Sequence, residues 1–81
     1  MKVRVLYFGP AADDSGVPRE TLEAPAGSTV ADSHELLERA HPALVRRRSH
    51  LRFAVNAEYA DASRVLRDGD EVAVIPPVAG G

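Results

Sequence analysis

The alternation of apolar and polar positions predicts a β-strand at the start of the chain. Apolar side chains occupy every second position of segment 3–7, at Val3, Val5 and Tyr7, and the segment stops at Gly9-Pro10. Residues 19–24 have the same strand character, with polar side chains facing outward, and Pro25 closes them. The short spacing predicts a hairpin, with residues 11–18 as its loop.

The next segment carries the signals of a helix. Thr29 is predicted to cap it, and Asp32, three residues later, completes a capping box with aspartate in the usual glutamate place. The helix is predicted to run from Val30 to about His41, where Pro42 either ends it or starts another turn. Its apolar face is narrow and is assigned to Val30, Leu36, Leu37 and Ala40, with Ala43, Leu44 and Val45 extending the contact with the core.

Strand patterns return in the second half of the chain, at residues 51–56 and 71–75, with a short irregular segment at Tyr59-Ala60 between them. A turn is predicted at 68–70. The order is ββαββ, and a right-handed crossover by the helix lets the first and last strands pair in parallel at the centre. This predicts a β-grasp, an α+β roll whose mixed sheet has one main helix packed on one face.

The composition of the last six residues predicts a tail that extends beyond the folded domain. Proline cannot donate to a sheet ladder, so the domain is assigned to residues 1–75 and a flexible tail to 76–81. Six residues at about 3.1–3.3 Å each reach roughly 20 Å. Bare glycine backbone at Gly80 and Gly81 fits a slot too narrow for other residues. The chemical group that such a tail delivers is the α-carboxylate of Gly81.

Composition narrows the classes of function. The chain has 81 residues, 44% hydrophobic and 27% charged, which is typical of a globular domain. A net charge of −2 gives no reason to expect nucleic acid as a partner. No apolar run approaches the roughly 20 residues of a membrane span, and no secretion signal is evident, so we expect a cytoplasmic protein without membrane association.

Few side chains are suited to catalysis or metal binding. There is no cysteine, which excludes disulfides, thiolate metal sites and a cysteine nucleophile. The three histidines, His34, His41 and His50, are too scattered to predict a metal site. No Ser-His-Asp set or glycine-rich phosphate loop is present, so the chain lacks the equipment of a self-contained enzyme.

Two charged clusters leave alternatives open. The run 46–48 (Arg-Arg-Arg) is either a solvated helix end or a patch for a phosphate or partner. Asp68, Asp70 and Glu71 either serve turn chemistry or steer a basic partner.

The end of the chain resembles a known family. Gly69-Asp70-Glu71-Val72, followed by Pro76-Pro77-Val78-Ala79-Gly80-Gly81, is similar to the C-terminal signature of the small subunit of molybdopterin synthase, a ubiquitin-like sulfur carrier. Segments 5–8, 29–30 and 54–56 also resemble that family, so the similarity covers nearly the whole chain. The sequence departs from the family at Ala12-Asp13, where Arg-Glu is usual, and at Ser33, near which a leucine is usual.

The resemblance implies a sulfur-transfer chemistry at Gly81. An adenylating E1-like enzyme would activate the Gly81 carboxylate with ATP, and sulfur would replace AMP to leave a C-terminal thiocarboxylate. The chain itself is expected to bind no cofactor. The large synthase subunit, in a heterotetramer, would receive the tail residues Val78, Ala79, Gly80 and Gly81. The sulfur would then pass to cyclic pyranopterin monophosphate in molybdenum cofactor biosynthesis.

The resemblance also implies a docking surface. Phe8, Tyr59 and Ile75 match family positions that form an exposed apolar patch beside the tail, suited to anchoring a partner. Judged by residue type alone, they are equally consistent with core positions.

Other functions share the same tail. A sulfur carrier for thiamine synthesis or tRNA thiolation has the same chemistry, although the Pro-Pro-Val segment before the glycines argues against it. A ubiquitin-like modifier would form isopeptide bonds to lysines. A plain β-grasp interaction module would use no tail chemistry at all.

Overall fold

The computed structural model describes residues 1–76, without the side chains of Arg48 and Ser49. The elements in chain order are β1 (Lys2–Tyr7), α1 (Pro10–Ser15), β2 (Arg19–Glu23), α2 (Val30–Ala40), a 3₁₀ helix (Pro42–His50), β3 (Arg52–Val55), β4 (Glu58–Ala60) and β5 (Glu71–Ile75). The tail predicted at 76–81 lies, apart from Pro76, outside the described residues, so the predicted domain boundary stays a prediction.

The five strands form one mixed sheet in the order β2-β1-β5-β3-β4. β1 and β5 pair in parallel at the centre, and the remaining pairs are antiparallel. The predicted central pair, the α+β class and the β-grasp arrangement are confirmed. The strand that leads into the tail is therefore held by a neighbour on each side.

β4 is a strand that the sequence pattern did not predict. Residues 59–60 were expected to be irregular, but Tyr59 pairs with Ala54 of β3. The connection is a two-residue turn in which Asn56 (φ 51) and Ala57 (φ 70) both have positive φ. Such turns match the twist of the flanking strands, so the chain folds straight back into a hairpin.

The predicted capping box starts α2. Asp32 N–H donates to Thr29 Oγ1 at 3.2 Å, and Thr29 N–H donates to Asp32 Oδ2 at 2.9 Å. The helix ends at Ala40, where His41 N–H still reaches the Leu37 carbonyl at 2.8 Å. Pro42 follows and opens a 3₁₀ helix, so the predicted alternative in which Pro42 starts another turn is confirmed.

The buried face of α2 differs from the predicted one. Ala40 is exposed and Leu36 is only half-buried, while Ser33 lies at a core position with no exposed surface. The hydroxyl of Ser33 donates to the Val30 carbonyl at 2.7 Å, which satisfies its hydrogen-bonding capacity inside the protein. A polar residue can thus take the position where the family resemblance led us to expect leucine.

The hydrophobic core fills the space between α2 and one face of the sheet. It consists of Val3, Val5, Tyr7, Ala11, Val30, Leu37, Leu44, Phe53, Val55, Leu66, Val72 and Val74. Of the three residues predicted to extend the helix contact, only Leu44 is buried; Val45 is 46% exposed. The 3₁₀ geometry that follows Pro42 directs one side chain of this segment inward.

The prediction of a loop over residues 11–18 was wrong, because α1 occupies most of it. Pro10 stands in the first turn, where its fixed φ favours helix initiation. Gly16 ends the helix in the left-handed region (φ 79), and its N–H donates to the Ala12 carbonyl at 2.9 Å. Ala11 is fully buried, so α1 is held by the core.

Candidate functional site

The exit of the chain from β5 is the centre of the candidate site. β5 ends at Ile75, and Pro76 is the last described residue. Phe8 N–H donates to the Val74 carbonyl at 3.1 Å, which continues the β1–β5 pairing beyond Tyr7. The chain therefore leaves from the middle of the sheet and not from an edge. The predicted tail residues Val78, Ala79, Gly80 and Gly81 lie outside the described residues.

The chain turns away from β1 directly beside this exit. Gly9 has φ +51, a conformation that L side chains rarely adopt. A Cβ atom at Gly9 would lie 3.6 Å from Pro76 Cγ, so a side chain here would be in van der Waals contact with the Pro76 ring.

Phe8, Tyr59 and Ile75 share the sheet face opposite α2, which we call the open face. Cross-strand partners lie on the same face, and the register aligns Leu6, Ala73, Ala54 and Tyr59 in one row across the sheet. The neighbouring row contains Ile75, paired with Arg52, and Phe8 follows β1 at the same level. The three residues implied by the family resemblance thus lie on one face, Phe8 and Ile75 beside the exit and Tyr59 two strands away on β4.

Exposure decides between a core and a surface position for these residues. Tyr59 is 71% exposed and Phe8 48% exposed, while Ile75 is half-buried at the end of its strand. Phe8 and Tyr59 are surface residues, so their interpretation as core residues is wrong, whereas Ile75 lies between the two classes. Their contact with a partner stays a prediction.

The acidic turn at 68–70 lies at the other end of β5 from the tail. Asp68 Oδ1 accepts from Lys2 N–H, and Asp70 Oδ2 accepts from Arg67 N–H, both at 2.7 Å. The Arg67 N–H, followed by the Asn56 amide, holds the pKa of Asp70 below its usual value. Turn chemistry therefore accounts for both aspartates.

The arginine run has an intramolecular partner that sequence reasoning missed. Arg46 Nη2 donates to Asp14 Oδ1 at 2.8 Å, and Arg47 Nε donates to Asp14 Oδ2. Hydrogen bonds from Arg47 and then Arg46 lower the pKa of Asp14. These two arginines, predicted to be either a solvated end or a ligand patch, connect the 3₁₀ helix to α1.

Two of the histidines are each placed beside a glutamate. His41 Nε2 lies 2.5 Å from Glu20 Oε2, which also accepts from the Tyr7 hydroxyl at 2.6 Å. Burial, then the hydrogen bond to Glu20, raises the pKa of Tyr7 well above its usual value. His34 Nε2 lies 3.4 Å from Glu38 Oε2. Within residues 1–76, no group of three or more His, Cys, Asp or Glu residues is placed to hold a metal ion.

A groove of about 670 Å³ lies between α2 and the β3–β4 edge. It meets the open face only at Arg52 and Tyr59. None of the described helices is long and apolar enough to cross a membrane.

A mixed five-stranded sheet with a parallel central pair and one main helix across it define a ubiquitin-like protein of the β-grasp class. The chain belongs to the ThiS family, whose model matches residues 5–81.

Curated relatives match along the whole chain. The molybdopterin synthase sulfur carrier subunit of Mycobacterium tuberculosis is 44% identical over 84 residues, covering 100% of this chain and 99% of that protein. The human protein of the same name is 41% identical over 83 residues, covering 99% and 94%. The family resemblance seen in the sequence is confirmed.

Solved structures match as well. The crystal structure of SAMP1 from Haloferax volcanii, a small archaeal modifier protein, has a TM-score of 0.90 and 29% identity, with 100% of both chains covered. A complex of subunits 1 and 2 of the molybdopterin-converting factor from Helicobacter pylori gives a TM-score of 0.75 and 26% identity, again covering 100% of both chains.

Proposed function

We propose that this chain is the sulfur-carrier subunit of a molybdopterin synthase and acts in the cytoplasm. The observation that carries the proposal is the match of relatives with this name along the whole chain, together with a family match that extends to Gly81. The central position of β5 supports it further, because an anchored strand is a suitable base for a reactive tail.

Activation begins at the Gly81 carboxylate. With a pKa of about 3.3–3.7, a terminal carboxylate is anionic near neutral pH and is a poor acyl donor. In the proposed first step it attacks the α-phosphorus of ATP on an E1-like enzyme, and pyrophosphate leaves. A sulfide-level sulfur nucleophile then attacks the Gly81 carbonyl and displaces AMP, which leaves a thiocarboxylate.

Delivery requires a partner that accepts the tail. We assign this role to the large synthase subunit, in a heterotetramer, and the complex of the two converting-factor subunits from Helicobacter pylori supports such a partner. Phe8, Tyr59 and Ile75 would anchor the partner at the exit, while the tail reaches roughly 20 Å into its active site. The sulfur passes there to cyclic pyranopterin monophosphate, and the Gly81 acyl group takes oxygen from water and returns to the carboxylate.

The mass of the intact protein tests this chemistry. The protein, purified from cells that contain the activating enzyme, is expected to gain the mass difference of one oxygen replaced by sulfur. Deleting Gly81, or adding one residue after it, is expected to abolish ATP-dependent activation and the mass gain. An extended variant that is activated normally would contradict the carrier function.

A second candidate function, protein modification, is favoured by the close match to SAMP1. It predicts isopeptide conjugates between Gly81 and lysines of other proteins. A blot of cell lysate would show ladders that disappear when Gly81 is deleted, with no thiocarboxylate mass on the free protein.

A further inference from the structure

The open face carries four basic side chains around its apolar rows. Arg19 is paired with Leu6, Arg52 with Ile75, and Arg4 with Glu71 in the sheet register. Lys2 lies at the far end of β1, paired with Glu23. All four cations are exposed.

The charge of this face is opposite in sign to the charge of the whole chain. Four cations against Glu23 and Glu71 give the open face a formal charge of +2, since 4 − 2 = 2. The whole chain has a net charge of −2, so the rest of it carries −4. The one face that no helix covers therefore carries an excess of basic over acidic residues, whereas the rest of the chain carries an excess of acidic ones.

Within residues 1–76, none of these four cations lies within ion-pair distance of a carboxylate. Among the described residues, the ion pairs involve the N-terminal amine, His34, His41, Arg46 and Arg47 on the basic side, and none of the four open-face cations. The comparison with Arg46 and Arg47, which share Asp14, shows that this fold can pair its arginines internally. The open-face cations are left available to an external anion.

We propose that the open face selects a partner whose apolar socket is rimmed by carboxylates, and that Arg52 and Arg19 are the principal cations that meet this rim. The inference rests on the proposed function, because the partner is the protein that takes the tail. Arg52 stands in the row of Ile75, and Arg19 at the end of the row that contains Leu6 and Tyr59. A surface with an apolar centre and a cationic rim is complementary to a partner surface with an apolar centre and an anionic rim.

The open-face cations are expected to affect mainly the rate at which the partner associates. Exposed charges are well solvated, so each adds little to affinity, but their summed field raises the rate of encounter with a partner of opposite charge. Salt screens that field, and the Debye length falls from about 30 Å at 0.01 M salt to about 3 Å at 1 M salt. A steering surface therefore has a salt-dependent association rate.

The test compares two charge reversals that change the net charge equally. Arg52→Glu alters the open face, and Arg39→Glu alters an exposed arginine on α2; each changes the net charge from −2 to −4. Stopped-flow association with the purified large synthase subunit of the same organism would be measured at about 0.01 M and about 1 M salt. We expect Arg52→Glu to slow association about tenfold at low salt and Arg39→Glu less than about twofold, with both close to wild type at high salt.

Arg19→Glu is expected to behave like Arg52→Glu, and Arg52→Gln to lie between wild type and Arg52→Glu. If Arg39→Glu and Arg52→Glu slow association equally, the effect comes from net charge alone and the inference is overturned. The inference is also overturned if neither variant slows association. Salt-sensitive binding of a DNA duplex that is lost in Arg52→Glu would assign the face to nucleic acid instead. Failure of the wild type to bind the large subunit would overturn the proposed function, and this inference with it.

Discussion

The two faces of this sheet are built from the same strands, yet they differ sharply in how far their side chains are exposed. On the face covered by α2, Val3, Val5, Val72 and Val74 are fully buried. On the open face, Tyr59 is 71% exposed. Successive side chains of a strand point to opposite faces, so each strand contributes to both at once. One face is buried in the core of the domain, and the other is left exposed and is the face that we propose contacts the partner.

β5 shows this division most clearly, because it also leads into the tail. Val72 and Val74 lie in the core, whereas Ala73 and Ile75 lie on the open face. Pairing with β1 on one side and β3 on the other holds the strand in place. Ile75 of the proposed docking patch and Pro76, where the predicted tail begins, are thereby adjacent at the end of a strand that is paired on both sides.

The largest effect is expected from a charge on the covered face. Val74→Asp places an unpaired carboxylate at a position with no exposed surface, which is expected to cost more than about 4 kcal/mol and to unfold the domain. Val74→Ala, which removes only apolar volume, is expected to cost roughly 2 kcal/mol. Urea unfolding followed by circular dichroism measures both. If Val74→Asp unfolds cooperatively at the same urea concentration as the wild type, the covered face tolerates a charge and the two faces do not differ in this respect.

The same charge on the open face is expected to spare the fold and damage binding. Ile75→Asp, one residue further along β5, and Tyr59→Asp are each expected to weaken binding of the large subunit by at least about 2 kcal/mol, or roughly 30-fold in Kd. Titration calorimetry measures the affinity, and circular dichroism confirms the fold.

Ala40→Asp is the matched control for these two variants, because Ala40 is exposed at the end of α2, on the side of the sheet opposite the open face. It is expected to leave the affinity nearly unchanged. If Ile75→Asp unfolds the protein, Ile75 belongs functionally to the core. If both patch variants bind normally, docking occurs elsewhere, and a salt titration would test the acidic turn at Asp68 and Asp70.

The parts of the fold that sequence predicted correctly depend on local chemistry at fixed spacing. The Thr29–Asp32 capping box needs only two residues three positions apart, and the order of strands and helix constrains the topology to a parallel central pair. α1 was missed because the polar segment 13–16 outweighed Pro10, whose place in the first turn was the available signal. β4 was missed because its three residues become a strand through pairing with β3.

The candidate site was predictable only in part, for a related reason. The family resemblance named Phe8, Tyr59 and Ile75, but their common face depends on the register of four strands, which no local pattern specifies. The pairing of Arg46 and Arg47 with Asp14 joins residues more than 30 positions apart, and depends on α1 being a helix. Long-range pairings of this kind appear only when the whole chain is assembled.

The smallest effect is expected from the ion pairs that connect α1 to the 3₁₀ helix. The pKa of Asp14 is lowered from 3.8 in the folded protein, so its stabilisation is present above the unfolded value and is lost as the pH falls through the folded pKa. Asp14→Asn is therefore expected to lower the Tm slightly at neutral pH, and the difference from wild type should shrink below pH 3.8. Asp13→Asn, at an exposed neighbour, is the control. Because Asp14 lies outside the strands of the open face, affinity for the large subunit should not change. A Tm difference independent of pH would show that packing, and not charge, holds α1 in place, and a loss of affinity would show that docking extends beyond the open face.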